Sequence, residues 1–542
     1  MNKLNPNLLS TEEFDLLQMD STLNSSARGS YNPMKFVLRL RDDVNEALNQ
    51  EENNFDKVQA FSTLLHETIH WWQHVGSNIG FLTSLSYPSI AHTVHVDLIT
   101  LISRGEKYKS IRDYDRHYFS IHKKYDNEEI NRILNNWHDL FYAKNFISSN
   151  ESINKIVKDR RFFLNMGHCF RILWTTSINA LANSVDPKFS FLPKISEWDE
   201  HFLRLEKEKA TGFYIGSSMP ITTIGTLAIF EGQAIFNQLQ YLTIASDNTL
   251  TLEDFEKKGT LHGIYLKAFE YFLKYTNIKK PNSANSSIVG LFLLICDIAI
   301  NPSDGFPFNV LHFETFIVSN DPGMRFHTLC RIISKDSGRW ENAIRNYSSE
   351  EYISLSRELS REIVCFSPID SCEVVKDWIE KQKSIQDLLQ QESIMGFSVE
   401  NLSIKLFFSK YLRFQEDKLK YPNVFCWIGK NLTAEKVVGI DFDTVEKLFK
   451  KHKALFIDEG GEIRPVLFDN FSEENLLKTF NSFYSFNTAY DMICKWIEES
   501  GEFKYDYKWL TNKQDSITLK DWVRENFKQA FKIYPEELKV LK

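Results

Sequence analysis

Cysteine is scarce in this chain and never paired in sequence. Seven residues in 542 (Cys169, Cys296, Cys330, Cys365, Cys372, Cys426, Cys494) are scattered and odd in number, with no CxxC motif. That argues against a disulfide framework and fits the reduced thiols of a cytosolic protein, each acting as a small buried hydrophobe. Glycine and proline are also few, at 21 and 14, which favours helices joined by short loops over sandwiches or disordered linkers. No block of five or more basic residues occurs, and the densest basic stretch, Lys158 to Arg161, is short. With a net charge of −8 spread over a large surface, a nucleic-acid partner, which needs a clustered basic face, is not expected. The longest apolar run, Ile288 to Cys296, stops at Asp297 and is too short to span a bilayer. The opening MNKLNPNLLSTEEFDLLQMD has no apolar core and carries acids early, so no signal peptide is visible. The expectation is a soluble, cytoplasmic protein with no membrane partner.

What is abundant is aromatic. Hydrophobic residues make up 43% and aromatics 14%, with 43 Phe, which predicts a ring-rich core. Residues 1 to 54 read as a preamble in which FVLRLRD (Phe36 to Asp42) alternates apolar and basic residues, a strand with one wet face. Apolar spacings of three and four predict helices over Phe55 to His74, Phe162 to Leu181 and Ile224 to Leu242. Turn-rich segments around NPSDGFPF and SNDPGMRF change the texture near 301 to 326, where Arg325 is expected to pair with an acid. A boundary near 345 divides the chain into regions 1–345 and 346–542. The second region mixes helices (Val374 to Gln391, Ser472 to Phe483, Leu519 to Ile533) with strand-like runs VFCWIG, KVVGIDF and ALFIDEGGEIRPVLF, the last turned as a hairpin at Gly460-Gly461.

One segment carries chemistry. LLHETIHWWQH places His66, Glu67 and His70 in an HExxH arrangement. A helix advances about 100° and 1.5 Å per residue, so residues four apart lie above one another on one face. Two imidazoles so placed reach one metal ion at Zn–N distances of about 2.0–2.1 Å. Glu67 projects from the adjoining strip, where it can take a proton from the attacking water and return it to the leaving amine. A random chain of this composition shows HExxH roughly 0.03 times, so coincidence is the weaker explanation. The bland alternative is a helix with two hydrogen-bonded histidines and a solvated glutamate. Apolar Leu64, Leu65, Ile69 and Trp72, and Gly76 as a helix stop, favour the metal reading.

A catalytic zinc needs a third protein ligand and an open fourth position. His74 lies about 12 Å along the axis from His66, too far to share an ion. The extended motif with Gly and His three and six residues beyond His70 is absent, since Gln73 and Gly76 stand there. Glu231, in TLAIFEGQAIFNQLQY, is the best candidate. It is a lone acid in an uncharged stretch from Ile221 to Leu242, and a core-facing carboxylate is costly unless paired or bound to metal. Gly232 and Ala234 are expected to let this helix approach the histidine helix. The alternative is a glutamate paired with a distant base or facing solvent. Asp97, near His92 and His95, is the runner-up third ligand, though surface polar residues on a helix are the favoured reading there. His168, Tyr214 and Tyr241 are weaker candidates for stabilising an oxyanion. Trp71 and Trp72 read as core, Gln73 and His74 as support or cap, and His312 and Glu314 as structural. No P-loop, GxSxG or GxGxxG pattern is present.

The run Leu64-Leu65-His66-Glu67-Thr68-Ile69-His70-Trp71-Trp72 with Phe230-Glu231-Gly232-Gln233-Ala234 resembles the gluzincin group of zinc metallopeptidases, over two short helices of a long chain. The resemblance implies a mainly α (α+β) fold: a zincin-like helical catalytic core with a small sheet, followed by a mixed α+β C-terminal region. It implies one Zn2+ held by His66, His70 and Glu231, with Glu67 activating water. Some members carry Asn before the glutamate and Asp four after it; here Phe230 and Ile235 stand there, so outer support must come from elsewhere. The resulting expectation is a zinc-dependent intracellular endopeptidase acting on a protein or peptide substrate, with a regulatory protein partner a further possibility. By analogy with the group, the strand at Phe36 to Asp42 is a candidate for pairing with extended substrate. The rivals are a non-catalytic interaction protein whose zinc only staples helices, and another zinc-dependent hydrolase.

Overall fold

The computed structural model describes residues 4–5, 8, 27–51, 54–149, 153–159, 162, 164–218, 221–433, 439–466 and 471–541. Helix accounts for 66% and strand for 4%, so the fold is mainly α with a small sheet.

The helix that carries the HExxH segment, α1 (Phe55–Gly76), starts where the Asn54 side chain accepts from the Lys57 amide at 3.0 Å, with Asp56 in its first turn. Its end is set by a single residue. The Ser77 hydroxyl donates to the Gln73 carbonyl at 2.6 Å and accepts from the Gly80 amide at 3.0 Å. It thereby closes α1 and opens α2 (Asn78–Ser103). Gly76 is not a left-handed stop, since it stays inside the helix. A Cβ there would lie 2.4 Å from the Phe414 ring, so glycine serves the close approach of a later helix.

Around α1 and α2 pack α3 (Met166–Val185), α4 (Thr226–Ala245), α5 (Ile264–Thr276), α6 (Ser287–Ile300), α7 (Leu402–Lys420) and α8 (Glu473–Glu498). The apolar run read at Ile288 to Cys296 is α6, whose residues from Val289 to Ile300 are all buried. Among the described residues no helix is long and apolar enough to cross a membrane.

The larger sheet has the order β1 (Gly29–Asn32), β2 (Val37–Leu40), β3 (Phe456–Asp458), β4 (Ile463–Pro465). β1 and β2 are antiparallel with Gly29 opposite Leu40, β2 and β3 parallel with Val37 opposite Phe456, and β3 and β4 form the hairpin read at Gly460-Gly461. A short pairing joins Tyr108–Lys109 to Lys539–Val540.

Regions 1–345 and 346–542 share this sheet and one hydrophobic core. The Trp72 indole donates to the His452 carbonyl at 2.7 Å, and the Gln415 amide to the Gly76 carbonyl at 2.6 Å. Lys418 on α7 pairs with Asp297 on α6 at 2.7 Å, both buried, and the Tyr352 hydroxyl also donates to Asp297. A buried pair of this kind persists because each charge has a partner.

Several local expectations change. VFCWIG is helical, in Pro422–Cys426 and Ile428–Asn431; a short apolar run buried on all sides has no periodicity to separate strand from helix. Of KVVGIDF, residues 436–438 lie outside the described residues. Val374 to Gln391 is two helices, Pro368–Lys381 and Lys383–Ser393. β2 has no wet basic face, because Arg39 is buried and pairs with Asp458. Arg325 forms no ion pair among the described residues, though its charge reaches Asp304, and it donates to the carbonyls of Ile298, Ala299 and Ser319.

Candidate metal centre

The α1–α4 packing brings His66, His70 and Glu231 together. The two Nε2 atoms are 3.1 Å apart, and Glu231 Oε2 lies 3.4 Å from His66 Nε2 and 3.3 Å from His70 Nε2. Four ligands about 2.0–2.1 Å from a tetrahedral zinc are about 3.3–3.4 Å from one another. The three donor atoms thus form nearly one face of such a tetrahedron, and among the described residues no fourth His, Cys, Asp or Glu completes it.

Gln73, one turn beyond His70, orients the site. Its amide nitrogen donates to the Phe230 carbonyl and to Gln233 Oε1, each at 2.9 Å, which fixes which end of the amide is oxygen. That oxygen lies 2.8 Å from His70 Nδ1 and can only accept, so Nδ1 carries a proton, which leaves Nε2 as the nitrogen that would ligate a metal. This supplies the outer support that Phe230 and Ile235 withhold, and it ties α1 to the turn holding Glu231. His66 Nδ1, by contrast, is buried with no hydrogen-bond partner among the described residues. Gly232 faces away from α1: a Cβ there would meet the Phe292 ring at 3.1 Å and Ala268 Cβ at 3.2 Å, so it serves the packing of α4 on α6 and α5.

Burial and mutual charge set the protonation. Burial lowers His66 to about 4, with His70 adding to the effect and Glu231 opposing it. Burial also opposes charge on His70, but the Glu231 carboxylate outweighs it and holds the ring at about 9. Glu231 resists its own burial because both imidazoles keep it well below the usual carboxylate range. Glu67 is 6% exposed, and burial, aided by Glu231, raises it to about 7 against the pull of His70 and Arg28.

Three neighbours had no signal in the sequence. Gly29 on β1 flanks Glu67: its missing Cβ would lie 2.7 Å from Glu67 Cγ. Tyr265 on α5 sets its ring edge-on to His66 at 5.9 Å, and burial holds its hydroxyl protonated far above neutral pH. Arg28 is buried and its charge reaches His66, Glu67 and Tyr265. All three are placed by tertiary packing, without a local motif.

The other candidates have partners elsewhere. Asp97 holds Arg132 at 2.7 Å, His95 bonds the Ala530 carbonyl and His92 lies near the Tyr490 ring. His168 pairs with Asp139 at 3.1 Å, Tyr241 packs on Phe61, and Glu314 pairs with Arg204. His74 is wedged between the rings of Tyr31 and Phe230, and burial lowers it to about 3, so it is a neutral packing residue. β2, the strand considered for substrate pairing, has both edges taken by β1 and β3; the strand with an outer edge beside Glu67 is β1.

No protein-family model, curated protein or solved structure matches the chain.

Proposed function

We propose that this protein is a zinc-dependent intracellular endopeptidase in which His66, His70 and Glu231 hold one zinc ion and Glu67 is the general base. The observation that carries the reading is the triangle of donor atoms with edges of 3.1, 3.3 and 3.4 Å, to which no further His, Cys, Asp or Glu among the described residues adds a donor. Zinc, when bound, supplies Lewis acidity toward a scissile carbonyl and lowers the pKa of water to about 7.

The chain's own residues do the rest. Glu67, held near neutral pKa at about 7, can accept a proton from water and return it to the departing amine. Tyr265 stays protonated and can donate to the oxygen that gains charge in the tetrahedral intermediate. Among the described residues β1 is an end strand of the sheet, the place where an extended peptide could add itself. The cytoplasmic assignment rests on seven scattered cysteines, odd in number and without a CxxC pair.

The test is purified protein loaded with one zinc and assayed on a quenched fluorescent peptide library, with and without 1,10-phenanthroline, beside Glu67→Gln. Hydrolysis that the chelator abolishes, and that Glu67→Gln loses while keeping zinc, is the expected result. A Glu67→Gln protein with full zinc and full activity removes the general base and with it the proposal.

A further inference from the structure

Between α1 and α4 the contacts to Glu231 are continued by a second polar contact two turns further along α4. Residues four apart on a helix share a face, as do residues seven apart. One strip of α1 therefore carries Ser62, His66 and His70, and the facing strip of α4 carries Glu231 and Gln238. The strips run antiparallel: Glu231 Oε2 lies 3.4 Å from His66 Nε2 and 3.3 Å from His70 Nε2, while Gln238 Nε2 donates to Ser62 Oγ at 3.0 Å. His66 sits between Ser62 and His70 on its strip, so Glu231 brackets it on one side and Gln238 on the other.

Two residues of these strips each keep one buried atom without a hydrogen-bond partner among the described residues: His66 Nδ1 and Gln238 Oε1. The two are complementary. When His66 ligates a metal through Nε2, Nδ1 carries the proton and becomes a donor. The two ring nitrogens face nearly opposite ways, so with Nε2 turned to Glu231 the Nδ1–H points away from the Glu231 end. The Gln238 amide is fixed as well. The Ser62 hydroxyl donates to the Gln59 carbonyl at 2.6 Å, so it accepts from the Gln238 nitrogen and leaves Gln238 Oε1 unused. Other side-chain amides of α4 are directed elsewhere: Gln233 Oε1 accepts from Gln73, Asn237 Oδ1 from the Gly429 amide, and Gln240 donates to Tyr347. A buried donor or acceptor left unpaired is costly, and a metal-bound imidazole ordinarily gives its second N–H to a fixed acceptor. We infer that Gln238 is the positioning residue of His66, its Oε1 receiving the Nδ1 proton through one bridging water, which holds the ring with Nε2 turned to the metal. A water so placed has a donor on one side and an acceptor on the other. Gln238 thereby does for His66 what Gln73 does for His70, and stands in for the acceptor that Ile235 cannot provide. This rests on the metal centre of the peptidase reading and is independent of hydrolysis.

The test uses the full chain, loaded with zinc or with Co2+ in its place. Zinc affinity is read by competition with a chromophoric chelator. Cobalt moves the exchangeable N–H protons of ligating imidazoles far outside the ordinary proton spectrum, so NMR reads those protons alone. The native chain is expected to show two such signals, both slow to exchange with solvent. Gln238→Leu should erase one signal or speed its exchange, leave the other, and weaken zinc binding about 10–100-fold. Gln73→Leu should act on the other signal. Gln240→Leu also removes a buried amide of α4, on the side that faces Tyr347, and should keep both signals and native affinity. Gln238→Glu keeps an acceptor oxygen at the same reach; it should hold both signals, and it serves if the leucine variant misfolds. Two unchanged signals with near-native zinc affinity in Gln238→Leu overturn the inference and leave the metal centre standing. Equal losses in Gln238→Leu and Gln240→Leu, or loss of the signal in Gln238→Glu, make Gln238 a packing residue and overturn it as well. A native chain that shows neither shifted signal overturns the metal centre and the inference together.

Discussion

Replacing Gly29 with alanine adds a single methyl group where the structure has no space for one. An ideal Cβ at this position lies 2.7 Å from Glu67 Cγ, 2.8 Å from Oε1 and 3.0 Å from Cδ. Carbon atoms in contact sit about 3.5–4.0 Å apart, so the glutamate must retreat by roughly 1 Å. Alanine itself is unstrained there, because Gly29 is absent from the positive-φ positions, and the β1–β2 ladder can keep its register. The retreat is confined, since Glu67 is 6% exposed. A misplacement of about 1 Å in a catalytic group costs up to about 100-fold in rate. Overpacking of this kind costs about 1–3 kcal/mol in stability. None of the three donor atoms of the metal cluster is touched. Gly29→Ala is therefore expected to bind zinc with native stoichiometry, melt within several degrees of the native chain and lose about 10–100-fold in kcat/KM. Zinc by inductively coupled plasma, thermal melts and the peptide assay read these three quantities. Native activity in the alanine variant, or loss of zinc together with activity, refutes the reasoning that Gly29 acts on the base alone.

Three further outcomes follow from the geometry. Gln73→Leu frees His70 Nδ1 and should weaken zinc binding about 10–100-fold in competition with a chromophoric chelator, leaving helicity intact. Tyr265→Phe should lower kcat by about 100-fold or more with KM little changed; an equal rise in KM alone would reassign it to substrate binding. Asp321 caps a helix at Met324 N (2.8 Å) while burial raises its carboxyl to about 7. Its folded pKa thus exceeds its unfolded one, so the folded state keeps a proton that the unfolded state releases. Stability falls as pH rises from about 4 to 7 and stays reduced above. Asp321→Asn keeps the cap acceptor and should gain a few kcal/mol over the native chain at pH 8, shrinking toward zero near pH 4 in urea melts. A gain independent of pH contradicts the titration.

Two parts of the cluster were readable without coordinates, for local reasons. His66, Glu67 and His70 announce themselves because one helical turn is enough to place two imidazoles. Glu231 stands out because a lone carboxylate on an apolar helix needs a reason to be there. Gln73 was visible only as a residue of unsettled role; its work depends on where the Phe230 carbonyl lies. Gly29, Arg28 and Tyr265 had no local signature, since a strand from the preamble and a helix some 200 residues later meet Glu67 only through the folded core. The same non-local effect misled the reading of Gly232 and Gly76. Small residues mark a close approach, but their sequence does not say which partner approaches. For Gly232 it is Phe292 and for Gly76 it is Phe414. The mainly helical fold was legible from few glycines and prolines and from apolar spacing. The helical state of VFCWIG was not, because burial on every side erases the pattern that separates strand from helix.

The central claim is that three side chains from two helices share one zinc ion. Anomalous diffraction at the zinc edge on crystals of the zinc-loaded chain tests it most directly. A single peak is expected about 2.0–2.1 Å from His66 Nε2, His70 Nε2 and a Glu231 oxygen, with a fourth ligand from solvent. A peak away from Glu231, a fourth protein ligand, or no peak among these residues contradicts it.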